Sequence, residues 1–210
     1  MKLYSSIGPN PRVVAMFLAE KGAEIETVEV DIMSGENRQP EFLKINPTGQ
    51  SPALQLDDGS VINEITVICD YLDQKLDGPN LLGDTPEQQA QTRMWCRRID
   101  INITEPMANG FRWGEGSAMF EGRIRVIPEA SDGMKALAQD GLEWLDGLLE
   151  GPFICGDRFS LADILLFCFL EFGAQIGQPI NPAHSKVASW YEAVSQRPSV
   201  AASVHPSMRG

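Results

Sequence analysis

A proline set directly before a strand constrains this chain more than any other feature. The stretch Asn46-Pro47-Thr48-Gly49-Gln50-Ser51-Pro52-Ala53-Leu54 reads as a loop closed at Ser51-Pro52. A short strand over 53–56, an Asp57-Asp58-Gly59 hairpin turn, a second strand at Val61-Ile62 and a helix opened by Glu64 follow it. Only an X-Pro bond makes the cis isomer accessible. A cis turn here would leave the amide and carbonyl of Ser51 facing outward, able to pair with an extended peptide ligand by strand addition. A trans bond in an ordinary loop fits the same residues.

Upstream, residues 1–5 suit a short strand, and Ile7-Gly8-Pro9-Asn10-Pro11 is a turn made of strong breakers. Val13, Val14, Phe17 and Leu18 recur at helical spacing, with Pro11 suited to the first helical position, Asn10 to the cap, and Lys21-Gly22 to the stop. Glu26 to Asp31 alternates as a second strand, so strand, helix and strand predict a parallel pair joined by a right-handed crossover. Phe42, Leu43 and Ile45 suggest a short helix within 36–45. The first 77 residues therefore form a βαβ-α-ββα unit, 78–84 a linker rich in breakers, and 85–210 a domain with no strand signal.

In that second part a helix starting at Thr85-Pro86 runs to about Met107, with Met94 and Trp95 in its core, and residues 109–116 interrupt it. Leu137, Leu142, Trp144, Leu145, Leu148 and Leu149 mark a second amphipathic helix. Ser160 caps an apolar helix, with Asp163 placed to reach back to its amide and Phe159 and Ile164 as a hydrophobic staple. Val187, Trp190, Tyr191 and Val194 form a final helix stopped at Arg197-Pro198.

A chain of 210 residues, 43% hydrophobic, can bury two cores. A formal charge of −12 without a basic patch argues against a nucleic-acid partner. The longest apolar run, Ile164 to Leu170, is too short to span a bilayer, and folded-looking sequence begins at Met1, so neither a membrane nor a secretory signal is expected. Cys69, Cys96, Cys155 and Cys168 are scattered, and His184 and His205 are the only histidines. Reduced thiols, no metal and a cytoplasmic location follow as expectations.

Four segments together resemble the cytosolic glutathione S-transferases: 46–54, Glu64-Ile65-Thr66-Val67-Ile68 with Tyr71-Leu72, 156–164, and Arg12 with 17–22. The resemblance covers nearly the whole chain. It implies a thioredoxin-like domain followed by an all-helical bundle, a cytosolic homodimer, a role in detoxification, and glutathione as co-substrate. It tips Ser51-Pro52 to the cis form and gives Ser51 the cysteinyl backbone of glutathione. Glu64 would meet the ligand's α-amino group and the Ile65 amide its carboxylate, while Asn37 and Gln50, with Arg38 beside them, would approach the glycyl end. A pocket between the domains, with Arg98, Asn102, Met107, Phe111 and Trp113 as candidates, would take a small apolar electrophile.

Two departures from the family pattern stand out. Ile65 replaces the usual serine, which removes a hydroxyl contact and predicts weakened glutathione affinity. Gly8 stands where many serine-type members carry their hydroxyl, which leaves Asn10, Ser5 and Ser6 as candidates to stabilise the thiolate. Asn10 as a mere helix cap is the competing account. Glutathione transfer leads; a glutathione-dependent disulfide or peroxide reductase, or a binding module of the same fold without turnover, are the alternatives.

Overall fold

The computed structural model describes residues 1–209. By its internal contacts the chain divides into two units, Met1–Asp84 together with the segment from Arg197 onward, and Thr85–Gln196.

The first unit is built on a four-stranded mixed sheet of β1 (Lys2–Ser5), β2 (Glu26–Glu29), β3 (Ala53–Gln55) and β4 (Val61–Ile62), in the order β2-β1-β3-β4. β1 and β2 are parallel; β1 with β3 and β3 with β4 are antiparallel. Helices α1 (Pro9–Lys21), α2 (Pro40–Ile45) and α3 (Ile65–Lys75) complete the βαβ-α-ββα order. A 3-10 turn at Glu36–Arg38 precedes α2 and is cut from it at Gln39, which Pro40 holds in an extended conformation.

Two expectations for this unit change. Helix α1 starts at Pro9, so Asn10 lies inside the first turn and Gly8 is the cap residue, at φ 121°. Residues 78–84 are no loose linker, because Leu81 and Leu82 are buried. Lys21, only 4% exposed, reaches Asp73 at 3.1 Å and the Pro79 carbonyl at 3.1 Å, while the Asp73 carboxylate accepts the amides of Leu81 and Leu82.

The C-terminal segment, expected with the helical domain, packs on this first unit. Its short helix α10 (Pro198–Ala202) lies along α1. Arg197 grips Glu20 with Nε–Oε1 at 2.7 Å and Nη2–Oε2 at 2.6 Å, Ser199 Oγ donates to the same carboxylate, and His205 Nε2 lies 3.0 Å from Glu29.

The second unit holds α4 (Pro86–Ile99), a π turn at Asp100–Thr104, α5 (Glu105–Trp113), α6 (Ser117–Phe120), α7 (Ser131–Leu148), α8 (Leu161–Gln175) and α9 (Ser185–Ser195). The break in the first long helix comes at the π turn rather than at 109–116. Pro106 has no N–H to give the carbonyl four residues back, and Glu105 reaches Asp100, five residues back. Gly110 and Gly141 then let α7 close in: a Cβ at Gly110 would lie 2.7 Å from Lys135, and one at Gly141 only 2.2 Å from the Asn102 carbonyl.

Helix α8 is the buried centre of this unit. The Asp163 carboxylate accepts the amide and hydroxyl of Ser160, the Ile154 amide and the Trp190 indole N–H, each within 3.0 Å. Burial pushes its carboxyl above the usual range, against the pull of those donors. Phe159 packs edge-on against Phe153. Met94, Leu137, Trp144 and Leu148 face solvent rather than the core, Trp95 is half-buried, and all four cysteines are buried and unbridged.

Gly141→Ala should cost about 2–3 kcal/mol, because the clash is with backbone that a rotamer change cannot relieve, and a drop in thermal midpoint reads it out. A second expectation concerns acid. Burial would raise the Glu20 carboxyl, but the Arg197 and Ser199 hydrogen bonds and the Arg197 charge outweigh it and hold it below the ordinary 4.5. Its contribution is therefore full above the unfolded value and fades as pH falls through the lower folded one. The gap in thermal midpoint between the native chain and Glu20→Gln should be widest near neutrality and close in acid.

Candidate functional site

The loop before β3 is organised from inside. Asn46, 1% exposed, donates to the Gln50 carbonyl at 2.7 Å and accepts the Thr48 amide at 3.1 Å and hydroxyl at 2.9 Å. Asn37 donates to the Gly49 carbonyl at 2.6 Å, and Arg38 to the Thr48 carbonyl at 3.1 Å. The inward-facing carbonyls of the loop are thus consumed. The Ser51–Pro52 peptide is cis. Among the described residues the Ser51 amide and carbonyl enter no hydrogen bond, and its buried hydroxyl oxygen has no partner.

Strand register brings the other expected residues to the same end of the sheet. Tyr4 lies opposite Ala53, so the C-terminal end of β1, with Ser5 and Ser6, adjoins the start of β3. Ile62 lies opposite Leu54, so β4 also ends there and delivers Asn63, Glu64 and the start of α3. Helix α1 leaves the same end of β1.

Glu64 is the only non-glycine among the described residues with positive φ, at 69°. Such a backbone stores about 1–3 kcal/mol of strain and gathers at functional sites. Its side chain is exposed, no side chain caps α3, and the first amides of that helix stay open to an anion. Buried polar atoms without partners lie on the neighbouring residues: Asn63 Oδ1, Asn37 Oδ1 and Arg38 Nε. Gln50 is exposed. A cluster of unspent donors and acceptors at one sheet end is what a polar, extended ligand requires.

At the turn into α1, Gly8 sits at a φ that side chains with a Cβ rarely adopt. A serine there would be strained, which gives the glycine a backbone reason. Ser6 is 4% exposed and its hydroxyl donates to the Ile7 carbonyl at 3.3 Å. Ser5 and Asn10 are half-buried, and among the described residues the Asn10 side chain makes no hydrogen bond. The helix-cap account of Asn10 therefore falls away, since Gly8 holds the cap position.

The remaining candidates belong to the second unit. Arg98 lies over the Trp95 ring at 5.2 Å and Asn102 donates to the Arg98 carbonyl at 2.7 Å, both on exposed residues. Met107 is fully buried. Phe111 packs edge-on against Phe120 and Phe172, and the Trp113 indole nitrogen is buried without a partner. No helix among the described residues is long and apolar enough to cross a membrane, and no grouping of three or more His, Cys, Asp or Glu could hold a metal.

Sequence reasoning missed Asn46 and Asn63. The first had a usable signal, since an Asn-Pro-Thr run favours an Asx turn; the second had none.

Models of the N-terminal and C-terminal domains of glutathione S-transferases match residues 7–75 and 128–193. Glutathione S-transferase 2 of Saccharomyces cerevisiae is 34% identical over 197 residues, spanning 92% of this chain and 84% of its own. The crystal structure of a glutathione S-transferase domain-containing protein from Marinobacter aquaeolei superposes with a TM-score of 0.90 at 33% identity, over 95% of this chain and 100% of that one. A glutathione transferase homologue from Sulfitobacter, solved with bound glutathione, gives 0.77 at 26% identity, over 96% and 95%.

Asn46→Ala strips three hydrogen bonds from a buried position. It should cost about 2–3 kcal/mol in urea unfolding, with faster amide exchange across 47–51.

Proposed function

The chain belongs to the glutathione S-transferase family, and from that premise we infer that it is a glutathione transferase whose ligand lies along the sheet end described above. The observation that carries this reading is the pairing of an unspent Ser51 with an uncapped α3 behind a strained Glu64. Ser51 offers its amide and carbonyl to the cysteinyl unit in the manner of an added strand. The Ile65 amide and the positive end of α3 take the α-carboxylate, and the exposed Glu64 takes the α-ammonium. Asn37, Gln50 and Arg38 serve the glycyl end.

The thiol then falls at the turn into α1. A free thiol titrates near ~8.5, so the protein must favour the thiolate. Asn10, uncommitted in the first turn of α1, supplies a side-chain amide donor and its own backbone N–H, the one open amide of that turn, since Pro9 and Pro11 carry none and the Arg12 amide is bonded to the Gly8 carbonyl. Ser5 is a second donor; Ser6 is the weakest of the three, its hydroxyl already engaged. The bound thiolate attacks a small apolar electrophile, and holding the two together supplies much of the acceleration. Arg98, Asn102, Phe111 and Trp113 are assigned to the electrophile's side, with Phe111 and Trp113 the better apolar surface.

Support for a homodimer comes from the helical unit. Leu137, Trp144 and Leu148 recur at seven- and four-residue spacing on the exposed side of α7, and Trp144 meets Trp95 of α4 at 5.9 Å between rings. Contiguous exposed apolar side chains of this kind mark an interaction surface. A second copy of the chain is assigned to it, in the cytoplasm and in a detoxifying role.

Calorimetric titration with glutathione tests the binding mode. Glu64→Gln should weaken binding about tenfold by removing a charge-assisted contact, and Ile65→Ser should tighten it about fivefold by restoring a hydroxyl. Turnover on a chlorinated aromatic should exceed turnover on hydroxyethyl disulfide. Absence of any thermal protection by millimolar glutathione would sink the reading.

A further inference from the structure

The C-terminal segment touches α1 at both of its ends. At the far end the Glu20 carboxylate, its side chain 10% exposed, takes both nitrogens of an Arg197 fork and the Ser199 hydroxyl. Roughly two turns earlier on α1, the Val200 carbonyl accepts a hydrogen bond from Arg12 Nη2 at 3.3 Å. Arg12 also closes the first turn of α1, its amide donating to the Gly8 carbonyl at 3.2 Å. Asn10 sits inside that turn with no side-chain bond of its own to hold it. The placement of the turn therefore depends on the placement of α1, which is held by α3 through Lys21 and Asp73 and, on its other contacts, by the segment that starts at Arg197.

We propose that Glu20 is a positioning residue for the thiol-binding turn: by holding Arg197 and Ser199 it keeps α10 on α1, where Val200 fixes Arg12 and, through Arg12, the turn that carries Asn10. This rests on the glutathione-transferase reading above. Glu20 lies at the far end of α1 from Asn10, so its effect runs through the helix and not through the ligand. A bidentate guanidinium–carboxylate pair is directional, which suits it to setting the rotation of a helix as well as its distance. The segment goes on to a third hold, His205 on Glu29, and Glu29 is the register partner of Ser5 in the neighbouring strand. All three holds thus bear on elements that frame the same turn.

The test compares the native chain with Glu20→Gln, Ser199→Ala and Arg197→Lys. Amide exchange of residues 8–14 is measured first, then the titration of bound glutathione's thiol from its ultraviolet thiolate absorbance, and the pH profile of kcat. The expected result is faster exchange in Glu20→Gln, a thiol titration and kcat profile displaced upward by about one pH unit, and glutathione affinity changed less than about threefold. Arg197→Lys, which keeps the charge and loses the fork, should fall between. Ser199→Ala leaves the ion pair intact and supplies a folded variant with a smaller shift in the same direction should Glu20→Gln prove too unstable to study. Faster exchange with an unmoved thiol titration would overturn the proposal, leaving Glu20 a structural residue only, and so would unchanged exchange. Failure of the native chain itself to bind glutathione would overturn the transferase reading and this proposal together, an outcome distinct from native binding with indifferent variants.

Discussion

The ion pair between Lys21 and Asp73 is the constraint on which the first unit depends. It joins the C-terminal turn of α1 to the C-terminal turn of α3, and both helices present their opposite ends at the ligand side of the sheet. A lysine in a last turn is ordinarily a solvent-exposed partner for the helix dipole. Here its side chain is fully buried, and the pair is further tied by the Pro79 carbonyl and the Leu81 and Leu82 amides. Breaking such a pair by removing one partner leaves a charge without compensation, at a cost of about 3–5 kcal/mol. Replacing both partners by apolar groups could be nearly neutral, so the value of the pair lies in geometry. It fixes where two helix N-termini stand relative to one sheet end.

That geometry explains how much could be read from the amino acids alone. Elements with a strong period or strong punctuation were legible: β1, α1, the hairpin, α3, and the Ser160–Asp163 cap all follow from local rules that tertiary structure did not override. Local rules left Ser51-Pro52 open to either isomer, and it was the family resemblance that tipped it to the cis form the structure has and that assigned roles to the loop and to Glu64. What escaped were features set by neighbours. A five-residue α10 has no period to display, and its place on α1 depends on Glu20, far away in sequence. The apolar residues that marked α7 as amphipathic divide into a buried set, Leu142, Leu145 and Leu149, and an exposed set, Leu137, Trp144 and Leu148, because periodicity reports that a face is apolar and not what covers it. The helix expected to run to about Met107 breaks instead at 100–104, where Gly141 accommodates the bulge.

The site divides into a part fixed by backbone and a part left to side chains. On the proposed binding mode recognition rests on main-chain groups: the Ser51 amide and carbonyl, and the open first turn of α3. Residues such as Asn46 and Gly8 shape the chain there. This makes the Ile65 departure intelligible, because a half-buried isoleucine keeps the amide in place and forfeits only a hydroxyl. The turn into α1 is different. Gly8 is tied to its backbone angle and Ser6 is engaged, so on the proposed reading the burden of stabilising a thiolate passes to Asn10, whose aim depends on how α1 is held.

Charge sharpens the same division. The chain carries a formal −12, and glutathione is itself an anion, so the long-range field opposes binding and cannot steer the ligand in. Screening at physiological salt removes most of that penalty beyond about 8 Å, but it adds no attraction. Attraction has to be local, at hydrogen-bond range, from groups that keep their partial charge regardless of the surface, and on the proposed binding mode these are the open first turn of α3 and the unpaired Ser51 amide. Those groups work only if their direction is set in advance, since a displaced dipole loses its advantage over water. The buried holds behind the sheet, Lys21 on Asp73 and Glu20 on Arg197, are thus the structural counterpart of an acidic protein binding an acidic ligand.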